Sequence, residues 1–280
     1  MDQSLQEWND SAPYWEKHAE TIRTMFAPVT GALIDEAGIV TGKKVLDVAG
    51  GAGEPSLTIA QVVAPSGSVV YTDPIAKMVS AAKAEAGRRE ITNIEFHQCP
   101  ADSLPFAENS FDVVVSRLGV MFFPDPLTAL GEMLRVTKGR GGLSLVVWGR
   151  SEANPFSYVV TNTISHYVEP PPPGSATHDA FCFAESKKLA NILKEAGAIN
   201  IRECLLEFRI AAPISFEGFW DMRSGISGTL REKLAGMSQE DRDAVKRDVS
   251  IASREFFPGN NMSFPAQMLI VTGEKPQPLA

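Results

Sequence analysis

Residues that build metal sites and covalent staples are scarce: the 280-residue chain holds 3 cysteines and 4 histidines. Cys99, Cys182 and Cys204 are odd in number and far apart, which excludes a disulfide framework and gives no metal-ligand spacing. They read as small apolar side chains in a reducing compartment. His18, His97, His166 and His178 form no HxxxH or HxH pair, so no metal is expected. Basic runs are missing too. Lys and Arg total 26 against 34 Asp and Glu, a net charge of −8 that repels a phosphate backbone, so nucleic acid is excluded as a partner. No uninterrupted apolar window reaches the roughly 18 residues of a membrane helix, so no integral membrane segment is expected. The polar, acidic start "MDQSLQEWNDSAPYWEKHAE" lacks the basic-then-apolar pattern of a secretory signal. A cytoplasmic location follows as the expectation, with the oligomeric state left open.

At 44% hydrophobic and 21% charged, the chain is ordinary globular material, long enough for one large core with additions. Apolar runs and helical periods alternate along it. "KKVLDV", "GSVVYTD", "NIEFHQC", "FDVVVSR" and "LSLVVWG" read as strands, separated by helical segments such as "EPSLTIAQVVA", "PIAKMVSAAKAEAGRR" and "DPLTALGEMLRVTKGRGG", the last ending in glycines. Strands alternating with helices imply a parallel, doubly wound α/β sheet. "INIRECLLEFRI" and "AQMLIVTGEK" add two further strands, giving seven mostly parallel strands with helical lid additions. The division expected is an N-terminal helical lid over 1–40, a core over 41–150, a proline-rich excursion over 151–180, a core continuation over 181–210, a helical lid over 211–265, and a last strand and tail over 266–280. Ser238 and Asp241 have the spacing of a capping-box-like helix start.

"VLDVAGGAGEP", residues 45–55, carries the chemistry. In open parallel sheets, ligands bind at the carboxyl ends of strands, and the first strand-turn-helix is the usual place for a nucleotide-like ligand. Gly50, Gly51 and Gly53 allow the tight turn and bring a ligand close to the backbone. A dinucleotide would put its pyrophosphate here, where carboxylates from Asp47 and Glu54 oppose it. A cationic ligand reverses that sign. The spacing Gly51-x-Gly53-x-x-Ser56 also lacks the third glycine of the dinucleotide fingerprint. Asp73, at the end of the second strand, is placed to accept hydrogen bonds from ribose hydroxyls. S-adenosylmethionine carries a ribose, an ammonium and a sulfonium, and no phosphate.

The segments "VLDVAGGAG", "VVYTD", "ADSLPFAENSFDVVVSR" and "EMLRVTKGRGGLSLVVW" occur in this order. Together they resemble class I S-adenosylmethionine-dependent methyltransferases with a Rossmann-like fold, in particular the branch similar to ubiquinone/menaquinone-biosynthesis methyltransferases. The resemblance is close over about 40–150 and looser over 180–210. It implies a methyl transfer from S-adenosylmethionine to a small, fairly apolar acceptor. It also implies that Asp47, Gly51 and Gly53 line the methionyl part of the cofactor, with Ala49, Gly50 and Pro74 on the same surface. By the same resemblance Asp73 binds the ribose, Ala101 and Asp102 flank the adenine, and Ser116 and Arg117 leave the fourth strand beside the transfer site. Three departures stand out. Ala49 replaces the first motif glycine, which ordinary backbone angles would tolerate. Pro100 replaces an acid before the adenine alanine, and "KGRGG" is one residue longer than the usual "KPGG".

In-line displacement at a methyl group depends mostly on alignment, so a base is optional. Tyr14, His18, His166, Tyr167 and His178 lie outside the core segments and are the candidates for one. Leu118, Val120, Met121, Phe122 and Phe123 are either core or the floor of an apolar pocket. Two other readings stay open: a non-catalytic S-adenosylmethionine-binding regulatory protein, and an NAD-dependent oxidoreductase, against which Asp47 argues.

Overall fold

The computed structural model describes residues 3–168 and 179–277. Its centre is one seven-stranded sheet of order β3-β2-β1-β4-β5-β7-β6. In chain order the elements are α1 (Gln3–Lys17), α2 (Ala19–Glu36), β1 (Lys44–Val48), α3 (Ser56–Val63), β2 (Ser68–Asp73), α4 (Ala76–Arg88), β3 (Ile94–Gln98), β4 (Phe111–Arg117), α5 (Pro126–Val136) and β5 (Thr137–Trp148). There follow α6 (Pro155–Ile164), α7 (Lys188–Glu195), β6 (Ile199–Ala212), α8 (Phe216–Ile226), α9 (Gly228–Ala235), α10 (Gln239–Ala252) and β7 (Met262–Glu274). Strands β1 to β5 pair in parallel, and β7 runs antiparallel between β5 and β6.

The central strands are apolar on both faces because helices cover both, so Val45, Leu46, Val48, Val113, Val114 and Val115 are all buried. Helix starts follow their caps. Asp125 accepts from the Thr128 backbone N–H with Pro126 at the first helical position, and Ser238 accepts from the Asp241 N–H. Strand order reverses between β2-β1 and β4-β5, which places the sheet's switch point at the ends of β1 and β4.

Several expectations change. The fifth helix ends at Val136, not in glycines; "TKGRGG" instead opens β5, where the pairing with β4 jumps from Phe111–Thr137 to Val113–Gly142. Arg140, at φ 65°, sits in that irregularity, which takes up the extra residue. β6 reaches Ala212 and β7 begins at Met262, so both ends of the expected lid over 211–265 belong to the sheet. Within 151–180, Pro155–Ile164 is a helix; the proline run and His178 lie outside the described residues. The segment over 1–40 divides in two. α2 buries Ile22, Met25, Phe26, Val29 and Leu33 in the main core, whereas of the side chains described in α1 only Ser11 and Ala12 are fully enclosed. A helix buried that deeply cannot act as a lid.

Candidate cofactor site

The chain leaves β1 at Val48 and turns back before α3. The turn is fixed by Gly50 N–H donating to Thr72 O at 3.0 Å and Gly53 N–H to Gly50 O at 3.1 Å. Gly50 has no room for a side chain, since a Cβ there would lie 2.5 Å from the Tyr71 ring. Gly51 is the opposite case: φ is +57°, and nothing lies within 4 Å of where its Cβ would be. That open face is where a ligand can meet the backbone. The Tyr71 hydroxyl holds the turn from below by donating to Gly51 O at 2.5 Å.

Ala49 does not have the ordinary angles expected of it. Its φ is +61°, in the left-handed region that costs a non-glycine residue roughly 1–2 kcal/mol. Its methyl group is accommodated by Gly119, where an added Cβ would come within 2.7 Å of the Ala49 Cβ.

Three carboxylates surround this turn. Asp47 is fully buried; its Oδ2 accepts from Ser56 Oγ at 2.5 Å, while its Oδ1 has no hydrogen-bond partner among the described residues. Burial dominates its titration and pushes the carboxyl up to about 7, with the Ser56 hydrogen bond and the Arg117 charge opposing. Asp73 is also buried, with Oδ2 accepting from Gly51 N–H at 3.0 Å and Oδ1 from Ile75 N–H at 2.9 Å. Burial raises it to about 6 against those two bonds. Asp73 therefore braces the glycine turn and holds Ile75, the residue that leads into α4, and each oxygen keeps a second lone pair for a ligand. Glu54 pairs with Arg89, and its Oε2 is buried without a partner among the described residues.

Arg117, at the end of β4, crosses under the turn. It donates to Thr30 Oγ1 at 2.7 Å and to Glu54 O at 3.0 Å, and its Cζ lies 5.6 Å from the Phe26 ring centroid. Among the described residues its Nε has no partner, and neither does the buried Ser116 Oγ beside it. Burial lowers the guanidinium's pKa, opposed by the Glu54 and Asp47 charges. The unsatisfied atoms of Asp47, Glu54, Ser116 and Arg117 thus cluster at one end of the sheet, an arrangement with the chemistry to hold a ligand bearing both charges.

Around this centre, Pro74 is half-buried and accepts from Gln98 Nε2, and Cys99 N–H donates to Asp73 O, which sets the loop of Ala101 and Asp102 beside β2. Ala101 is half-buried and Asp102 exposed. Val120 and Met121 are core residues, while Phe122 reaches Trp8 of α1 with ring centroids 5.0 Å apart. Leu5, Trp8, Ala12 and Trp15 of α1 pack on Ala52 of the turn and on Ile75 and Met78. α1 is tied in turn to α8, by Trp15 Nε1–H donating to Ile226 O at 3.3 Å and by Lys17 pairing with Asp221 at 2.6 Å.

The base candidates disperse. Tyr14 lies under Arg231 and is 39% exposed, and His18 sits at the α1–α2 joint, 3.4 Å from Asp221, with burial lowering its pKa. His166 is exposed, and the Tyr167 hydroxyl is taken by Asp248 at 2.5 Å. Ser56, Tyr71 and Thr30 join the site without having been expected there. A serine three residues after Gly53 was the one visible sign among them.

The fold and this acidic, glycine-lined switch point are those of a nucleotide-type α/β protein. The ubiE/COQ5 methyltransferase family model matches residues 30–170. A ubiquinone/menaquinone biosynthesis C-methyltransferase from Cellvibrio japonicus is 34% identical over 178 residues, 60% of this chain and 71% of the relative. An uncharacterised protein of Mycobacterium tuberculosis is 36% identical over 124 residues, and the match spans only 44% of this chain and 44% of that protein. Among solved structures, the YcgJ protein of Bacillus subtilis superposes with a TM-score of 0.55 at 21% identity, covering 89% of this chain and 98% of that one. The chain belongs to the ubiE/COQ5 methyltransferase family.

Proposed function

We propose that the chain binds S-adenosylmethionine across the turn from Ala49 to Glu54 and transfers its methyl group to a small acceptor. The observation that carries this reading is the buried Asp47 Oδ1, an acceptor with no donor among the described residues, at a turn flanked by two more carboxylates. A pyrophosphate there would meet repulsion, whereas an ammonium completes the pairing. Gly51 supplies the approach, Asp73 the acceptors for ribose hydroxyls, and Ala101 with Asp102 the adenine edge. The bound cofactor supplies a methyl group on a cationic sulfur.

The protein's share is then to align the acceptor and keep water out. Phe122 packs edge-on against Trp8 of α1, which supports an apolar surface over the turn. That lining favours a fairly apolar, flat acceptor. The family relatives named for quinone biosynthesis point the same way. The experiment is a metabolite-extract screen with methyl-labelled S-adenosylmethionine, reading by mass spectrometry which small molecule gains the label. No labelled product from any extract, with cofactor binding intact, would turn the reading towards a protein that binds S-adenosylmethionine without turnover.

A further inference from the structure

The helices that follow β5 hold a second feature, one that methyl transfer does not use. Arg223 of α8 lies against α6, its Cζ 5.0 Å from the centroid of the Phe156 ring. Its Nε is buried with no hydrogen-bond partner among the described residues. Burial alone brings its pKa down to about 10, with no neighbouring charge contributing in either direction. Among the described residues it forms no ion pair, although the chain carries 34 acidic residues.

Three other cations of this region are engaged. Arg231 donates to Gly225 O and Ser11 Oγ, Lys17 pairs with Asp221, and Lys246 with Glu217. Lys233 of α9 and Arg223 line one indentation of about 40 Å³ together with Thr161 and Thr229. The start of α9 is not the attraction, because Ser227 caps it and the Glu7 carboxylate already approaches Gly228. Arg223 is half-buried, and its enclosed Nε has neither a counter-ion nor an acceptor among the described residues, a cost that the contact with Phe156 offsets only in part. The arrangement makes physical sense when negative charge arrives from outside.

We propose that Arg223 and Lys233 form a binding site for an oxyanion head group, carboxylate or phosphate, whose ligand extends beyond the indentation. The guanidinium fork supplies paired donors in the plane of the oxyanion, and Lys233 adds a point charge. The volume admits a head group and not a whole metabolite. The site stands apart from the cofactor turn and does not depend on the methyl-transfer reading.

The test is calorimetric titration of the full chain with sodium phosphate and with sodium acetate at constant ionic strength, comparing wild type with Arg223→Met and Lys233→Met. Saturable binding of at least one anion is expected, weakened roughly tenfold or more in each variant, while the melting shift given by S-adenosylhomocysteine stays as in wild type. Should Arg223→Met fail to fold, Arg223→Lys, which keeps the charge and loses the fork, and Lys233→Met, at a half-buried position, carry the comparison. Sedimentation with phosphatidylcholine vesicles, with and without phosphatidate, separates a lipid head group from a free anion. Absence of saturable binding by phosphate, acetate and vesicles, or equal binding in wild type and all variants, overturns the proposal.

Discussion

Replacing Asp47 with asparagine removes one buried charge while keeping the shape that accepts the Ser56 hydrogen bond. In the native protein burial holds the carboxyl at about 7 against an ordinary 3.8. A carboxyl raised in the folded state binds its proton where the unfolded chain does not, so stability is greatest below about pH 4 for this group and falls as pH rises to about 7. The gap corresponds to roughly 4 kcal/mol of destabilisation at pH 8. The amide escapes that term but leaves an N–H unsatisfied where Oδ1 lay, at a cost of about 1–3 kcal/mol. Asp47→Asn is therefore expected to be about 1–3 kcal/mol more stable than wild type at pH 8, and its stability changes less between pH 5 and 8. Binding moves the other way. A cationic ligand requires the ionised carboxylate, so wild-type affinity for S-adenosylmethionine rises with pH by up to about tenfold per unit between pH 5 and 7, and proton release accompanies binding. The ligand's ammonium, with an ordinary pKa near 8, stays protonated in that window. Urea unfolding at pH 5 and pH 8, with calorimetry in two buffers of different ionisation heat, reads both effects. A variant that loses stability at pH 8, or wild-type binding with no proton release, refutes the reasoning.

Gly51→Val puts a branched side chain at φ +57° on the open face of the turn, so circular dichroism should show a folded protein and titration should show no cofactor binding. Normal binding by the folded variant would mean that the turn does not touch the ligand. Asp73→Ala removes the acceptors for Gly51 N–H, Ile75 N–H and the ribose, and weakening by roughly 1.5–3 kcal/mol is expected in calorimetry; unchanged affinity removes the ribose assignment. Deleting residues 1–17 takes away only α1, so turnover should fall much more than melting temperature. Deleting 1–28 cuts into Ile22, Met25 and Phe26 of the core and should unfold the chain. If both deletions unfold alike, α1 is structural and not a lid.

The glycine turn, the two acids Asp47 and Asp73, and each of the first five strands could be read directly, because a strand covered on both faces and a positive-φ glycine leave local marks. What could not be read depends on distant parts of the chain. Arg117 meets Thr30 across 87 residues, and no spacing announces such a pair. Tyr71 reads as a strand aromatic until its hydroxyl is seen at Gly51 O. The left-handed angle of Ala49 is permitted by Gly119, a neighbour only in space. The segment over 1–40 reads as a single helical lid, and only packing shows that α1 lies against the turn while α2 fills the core. The glycines of "KGRGG" resemble a helix stop but enter β5, since tertiary pairing with β4 overrides their local preference.

The most direct measurement is a calorimetric titration of the protein at pH 7.5 or so with S-adenosylmethionine and, separately, with NAD. An acidic turn built around Asp47, Glu54 and Asp73 predicts saturable one-to-one binding of S-adenosylmethionine and no measurable binding of NAD, with Asp47→Asn weakening the former. Binding of NAD as tight as, or tighter than, that of S-adenosylmethionine would contradict the assignment of a cationic ligand to this turn.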